Sequence, residues 1–300
     1  MKQLFISSHD LFWKLWNKIS FTLKPRDLER RQDTYPYLSS DGYAFACSLR
    51  ISKKASMDDL LEIVNNLKSD STLYLPGRFV SHMSNILRTK KKNLRTLVIG
   101  DDDIAQDEAS LKILVGCTKK IYSVNLKSNF GNAQSIPLGL ESPSYRTGGR
   151  LSDFKKIPTC VPSKRPHNFL VAWNSKTNSE SRTKAFNQFS EVENSLLFGN
   201  RIAAQTLHKL TRRTLFIPSP RGNGLDTHRI WESLYLGAIP IVVSDDFLDS
   251  YLGWPIWVVG DWAEVTNLTR SELEKKYSDL IVPYSDLIAN SKAVFRKFTT

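Results

Sequence analysis

Between Thr214 and Val243 the chain reads as one strand–helix–strand unit, and this unit constrains the fold more than any other feature of the sequence. Thr214–Pro218 is a short apolar run with the β-branched and aromatic content of a strand. Arg221-Gly222-Asn223-Gly224 follows as a tight loop, a helix begins near Asp226 as its N-cap, and Gly237 stops it. Ile239–Val243 is apolar enough to be a strand buried on both faces. Parallel strands need such a crossover. It places free backbone N–H groups at the carboxyl edge of a sheet, where phosphates bind in open α/β folds.

The same alternation recurs along the chain and predicts an α/β protein. In the first half the expected strands are Tyr43–Leu49, Thr72–Leu75, Arg95–Ile99 and Lys120–Val124. Helices are expected over Met57–Leu67, capped by Ser56, over about Phe79–Leu87 and over Gln106–Val115. Residues 142–167 hold four prolines and an adjacent glycine pair, which reads as a linker. Alternation then resumes with strands Asn168–Trp173, Leu196–Phe198, Thr214–Pro218, Ile239–Val243 and Ile256–Val259. Helices Ser179–Phe189, Ile202–Leu210 and Thr227–Leu236 fall between them. The expected layout is an N-terminal amphipathic, basic segment (1–34), a Rossmann-like acceptor-side domain (35–141), the linker, and a second Rossmann-like domain with a C-terminal helix (168–300).

The 300 residues carry a net charge of +12, which suits nucleic acid, an anionic membrane surface or phosphorylated substrates. The densest basic run, RTKKKNLR at Arg88–Arg95, reads as a solvated loop, and no nucleic-acid-binding signature accompanies it. No apolar stretch is long enough to span a membrane. Asp10, Lys14 and Lys18 interrupt the N-terminal run and argue against a secretory signal. Residues 11–23 form a basic, aromatic-rich amphipathic pattern that suits packing on the protein body or peripheral contact with an anionic membrane. Cys47, Cys117 and Cys160 have no metal-ligand spacing and read as reduced thiols, so a cytoplasmic location is expected.

The chemistry concentrates after Pro218. Arg221, His228 and Arg229 surround a helix N-terminus, where cations oppose the helix dipole. An anion between them reconciles the two. Glu232 shares a face with His228 and Arg229 and can accept hydrogen bonds from sugar or ribose hydroxyls; its structural alternative is an ion pair with Arg229. The loop lacks the lysine of a Walker motif and the spacing of a dinucleotide fingerprint.

The stretch SPRGNGLDTHRIWESLYLGAIPIV resembles the donor-binding signature of exostosin-like glycosyltransferases. Thr177-Asn178-Ser179-Glu180-Ser181-Arg182 resembles that family's TNPxxR segment, and Ile136-Pro137-Leu138-Gly139-Leu140-Glu141 its IPIGLE segment. The likeness runs from about residue 95 to about 250. It implies a GT-B fold with two Rossmann-like domains facing a cleft, and transfer from a nucleoside-diphosphate sugar to a saccharide or glycoconjugate hydroxyl, usually with inversion. Arg182 and Arg221 would then contact the diphosphate. Gly222, Asn223, Gly224, His228 and Arg229 would line the phosphate and sugar pocket, and Glu232 would hold hydroxyls. Domain closure about the linker would exclude water.

Asp101-Asp102-Asp103 stands where relatives often carry an Asn-Ser-Asp-like sequence. Three carboxylates invite a metal, but the expectation here is no metal and no cofactor, with Asp103 as the general base and helix capping as the structural alternative. His82 is a second-choice base. Two rival functions remain: a nucleotide-sugar-binding protein without catalysis, and a basic nucleic-acid-binding protein.

Overall fold

The structure is a computed structural model, and it describes residues 2–23, 31–101, 103, 108–145, 150–173 and 177–299. Asp102 lies outside them. The described residues form two five-stranded sheets, both parallel throughout.

A long helix, α1 (Lys2–Leu23), comes first, followed by a short one, α2 (Ser40–Ala46). The first sheet holds β1 (Leu49–Arg50), β2 (Thr72–Pro76), β3 (Leu94–Gly100), β4 (Thr118–Ser123) and β5 (Ala133–Ser135), in sequential order. Helices α3 (Met57–Asn65), α4 (Val80–Lys90) and α5 (Glu108–Cys117) are the crossovers. Ser56 caps α3 through a capping box with Asp59, so that start follows from the sequence.

Tyr43–Leu49, expected as a strand, is instead mostly helix α2. Ser39 accepts a hydrogen bond from the Gly42 N–H at 3.0 Å and caps it. Tyr43 is fully buried, packs its ring against Phe295 and Phe298, and donates its hydroxyl to the Pro137 carbonyl at 2.6 Å. A run this short has no decisive period, and tertiary burial decides its form. The strand Ala133–Ser135 has no counterpart among the elements expected from sequence.

Segment 142–167 is more than a linker. It contains α6 (Leu151–Lys155), buries Phe154, and carries Arg165, whose fully buried guanidinium donates to the carbonyls of Thr159, Thr211, Thr214 and Leu236. The second sheet has the order β10-β9-β8-β6-β7. Its strands are β6 (His167–Ala172), β7 (Leu196–Phe198), β8 (Thr214–Pro218), β9 (Ile239–Val243) and β10 (Trp257–Val259). Around it lie α7 (Ser179–Phe189), α8 (Ala204–Thr211), α9 (His228–Tyr235), α10 (Ala263–Thr266), α11 (Arg270–Leu280) and α12 (Tyr284–Thr299).

Alternation along the first sheet explains how the halves are joined. Leu73, Leu75, Leu97, Ile99 and Ile121 pack on α3, α4 and α5. Their neighbours Tyr74, Val98 and Tyr122 face the other way. There they join one core with Tyr43 of α2, Trp231 and Tyr235 of α9, and Phe295 and Phe298 of α12. The last helix thus returns to the first sheet, and the halves share a hydrophobic core rather than meeting only across a cleft.

Candidate active site

In the second sheet β7 lies on one side of β6 and β8 on the other, so the strand order reverses between β6 and β8. Ligands bind at such a switch point, outside the carboxyl ends of the strands. A cavity of about 290 Å³ opens there, walled by Ala172 and Trp173 at the end of β6 and by Pro218 and Ser219 at the end of β8. Gly222, Asn223 and Gly224 of the glycine loop, with His228, Arg229 and Glu232 of α9, form another wall. Asp103, Leu138 and Glu141 reach it from the first half.

Close approach of the halves requires the second loop glycine. A Cβ on Gly224 would lie 2.7 Å from the Asp103 carbonyl oxygen and 3.0 Å from Asn125 Oδ1. Asn125 Oδ1 accepts the Asp226 N–H at 2.8 Å and ties the loop to β4's end. Asp226 is not the helix cap. Thr227 is, accepting the Arg229 N–H. Asp226 is a buried bracket, accepting from Leu138 N–H at 2.9 Å, Thr227 N–H at 2.6 Å, Trp231 Nε1 at 2.9 Å and Tyr251 hydroxyl at 3.0 Å. Burial raises its pKa to about 6 against these four donors.

The cavity gathers three guanidiniums, from Arg182 of α7, Arg201 before α8 and Arg229 of α9. Burial, and then the charge of Arg229, push Arg182 down to about 10. Burial also lowers Arg229, with Arg201 adding to it against the pull of Glu232 and Glu141. Like charges crowded at a helix N-terminus are unfavourable until an anion joins them. Arg182 is held by its Nε, which donates to the Arg221 carbonyl at 3.2 Å, and its Nη2 sits 2.9 Å from where a Cβ of Gly222 would be.

Glu232 is buried at 8% exposure and lines the cavity, and no ion pair within 4.0 Å joins it to Arg229 among the described residues. The His228 Nδ1 lies 2.7 Å from the Gly139 carbonyl oxygen. A carbonyl only accepts, so Nδ1 carries the hydrogen and Nε2 of the neutral ring keeps its lone pair.

Two expected residues sit elsewhere. The Arg221 side chain is half-exposed, is absent from the cavity wall, and faces Asp246 at 3.7 Å. His82 is on the exposed face of α4. Asp101 is buried under paired cations: Arg31, close against it, and Lys53 at 3.0 Å. Burial would raise Asp101, but hydrogen bonding to and the charge of Arg31, with Lys53, hold it below the usual carboxylate range. Asp103 is exposed at the cavity mouth. Among the described residues no three His, Cys, Asp or Glu side chains are grouped to hold a metal ion.

Sequence reading takes Glu141 only as the end of the IPIGLE-like segment and misses Arg201 and His208. The last is buried in the cavity wall, its Nδ1 3.0 Å from Asp153 Oδ2. Its Nε2 has no hydrogen-bond partner among the described residues. None of the three lies in the glycine-loop segment, and only the fold brings them to it.

Scanned against known protein families the chain matches no family model, and a search of curated proteins finds no match.

Proposed function

We propose that this chain is a glycosyltransferase of the GT-B type, taking a nucleoside-diphosphate sugar in the cavity between β6 and β8. The observation that carries the reading is the convergence of Arg182, Arg201 and Arg229 on the N-terminus of α9, beside a glycine loop at a switch point. That arrangement fits a diphosphate. Glu232, with no ion pair to Arg229, is placed to accept hydrogen bonds from donor hydroxyls, and the resemblance to exostosin-like sequences supports the same assignment.

In the proposed displacement the acceptor hydroxyl loses its proton to Nε2 of His228, whose other nitrogen is held by Gly139. The acceptor oxygen bonds to the anomeric carbon as the bond from that carbon to the phosphate oxygen breaks, with inversion. The diphosphate leaves with the electron pair and is met by the three guanidiniums and the helix end. Charge fixed in place before the reaction begins lowers such barriers more than any other single effect in many enzymes. His228 takes the role expected for Asp103 because it lines the cavity with Nδ1 held by the Gly139 carbonyl, which leaves Nε2 as the proton acceptor, whereas Asp103 is exposed at the cavity mouth. The acceptor would enter past Asp103 and Glu141. A shared core leaves local loop movement, rather than wide hinge closure, to exclude water.

The test is a panel of nucleoside-diphosphate sugars screened by thermal shift, with transfer assayed in EDTA for each binder. A raised Tm with transfer supports the proposal. A raised Tm without transfer or donor hydrolysis leaves a binding protein, and binding only of nucleic acid, steeply weakened by salt, replaces the reading altogether.

A further inference from the structure

Between residues 6 and 19, helix α1 sets polar anchors beside Ile6 and Trp13 on its inner side and leaves an apolar face outward. The residues it turns toward the body include the polar His9, Asp10 and Asn17, each bonded to the α8 region. Asp10 Oδ1 accepts the Ala203 N–H at 2.6 Å, Asn17 Nδ2 donates to Gln205 Oε1 at 3.0 Å, and His9 Nδ1 lies 3.1 Å from Thr206 Oγ1. The residues it turns outward are Leu11, Phe12, Leu15, Trp16 and Ile19, each between 47% and 58% exposed. At 3.6 residues per turn they span an arc of roughly 140°. A helix that packs on a core does the reverse. Rolling this face inward would break all three polar contacts.

We propose that α1 seats this face on the surface of an anionic phospholipid bilayer. Five large apolar side chains, two of them aromatic, form a contiguous face of the kind that lies at the headgroup boundary. Lys14 and Lys18 flank one edge, where their stems reach along the apolar surface and their ammonium groups meet lipid phosphates. Asp10, the acidic residue of this helix, is buried beneath and paired with Lys14 at 2.7 Å. Beside the face a groove of about 360 Å³ is lined by Leu11, Leu15, Lys14, Lys18 and Arg201, so cations and apolar carbon meet there as a phospholipid offers them. The whole chain is basic at +12. An antiparallel pairing of two α1 faces would set the lysine edges of both copies on the same side, where like charges repel. No described helix is long and apolar enough to cross a membrane, so the contact is peripheral. The groove shares Arg201, Ile202 and Ala204 with the wall of the active-site cavity, and docking would hold that cavity's rim near the lipid surface.

The experiment is co-sedimentation of the full chain with vesicles of phosphatidylcholine alone and of phosphatidylcholine mixed with phosphatidylglycerol. The wild type should partition at least about tenfold more strongly to the anionic vesicles, the gain falling with salt. Leu15→Glu/Trp16→Glu, on exposed positions, should keep the wild-type Tm and lose about tenfold or more of that partitioning. Lys14→Glu/Lys18→Glu provides a second variant whose loss should be confined to the anionic vesicles. Equal partitioning of wild type and both folded variants overturns the proposal. So does a dimer, seen by sedimentation velocity, that Leu15→Glu/Trp16→Glu dissociates while no vesicle captures the wild type.

Discussion

The Nδ1 of His228 sits 2.7 Å from the carbonyl oxygen of Gly139, so the first turn of α9 is hydrogen-bonded to the end of the first half. That bond fixes which nitrogen can take a proton. His228→Gln can still donate to Gly139 but has no basic nitrogen. It should lower kcat by about 10²–10⁴-fold, with a small change in donor affinity. Asp103→Asn should change kcat less than about tenfold. Steady-state kinetics on both variants decide the assignment, and the opposite ranking transfers the base to Asp103.

The resemblance implies Arg182 and Arg221 alike as diphosphate contacts; Arg182 lines the cavity and the Arg221 side chain does not. Arg182→Ala should weaken donor binding by about 1.5–3 kcal/mol, the worth of a charge-assisted contact. Arg221 contributes its carbonyl to Arg182 and its side chain to Asp246, so Arg221→Ala should cost less than about 1 kcal/mol. Calorimetric titration with the donor compares the two directly, and equal losses would return the Arg221 side chain to the site.

Glu232→Gln should leave Tm within the shift expected of about 1 kcal/mol, since glutamine suits a helix nearly as well. Donor affinity should fall about tenfold if the carboxylate accepts a hydroxyl. Wild-type kinetics in this variant would make Glu232 a structural residue.

Asp226 titrates in the wrong direction for a stabilising carboxylate. Folding raises its pKa from 3.8 to about 6, so the folded state binds the proton more tightly than the unfolded state. The contribution is therefore fully present below about pH 4, is lost as pH rises to about 6, and is flat above; its size is roughly 3 kcal/mol. Urea unfolding of wild type and Asp226→Asn across this range gives a difference curve that should fall with pH. A rising curve would mean that the four donors outweigh burial.

Much of this is legible in the sequence, and the failures have physical causes. Strands β7, β8 and β9 follow from their apolar runs with the observed ends, because short apolar runs bounded by loops have no competing pattern, whether buried as β8 and β9 or half-buried at the edge as β7. The glycine loop announces the site because its residues are consecutive. Arg201, His208 and Glu141 are invisible there, since their role depends on which strands become neighbours. Tyr43-Ala44-Phe45-Ala46 misleads for a related reason: a short apolar run suits strand or helix, and Ser39 caps it as a helix while the aromatic rings of α12 pack on Tyr43. Thr227 displaces Asp226 as cap because Asp226 is recruited across the interface to Leu138.

The return of α12 to the first sheet bears on how the molecule comes apart. Phe298 rests on Tyr43 and Tyr122, residues separated from it by most of the chain, and its burial is complete. Neither half can close its apolar surface without the other. Heating should therefore give a single calorimetric transition whose van't Hoff and calorimetric enthalpies agree. A chain ending before Tyr284 should emerge from synthesis as an aggregating species rather than as a stable half, because it lacks the Phe295 and Phe298 rings that close the shared core.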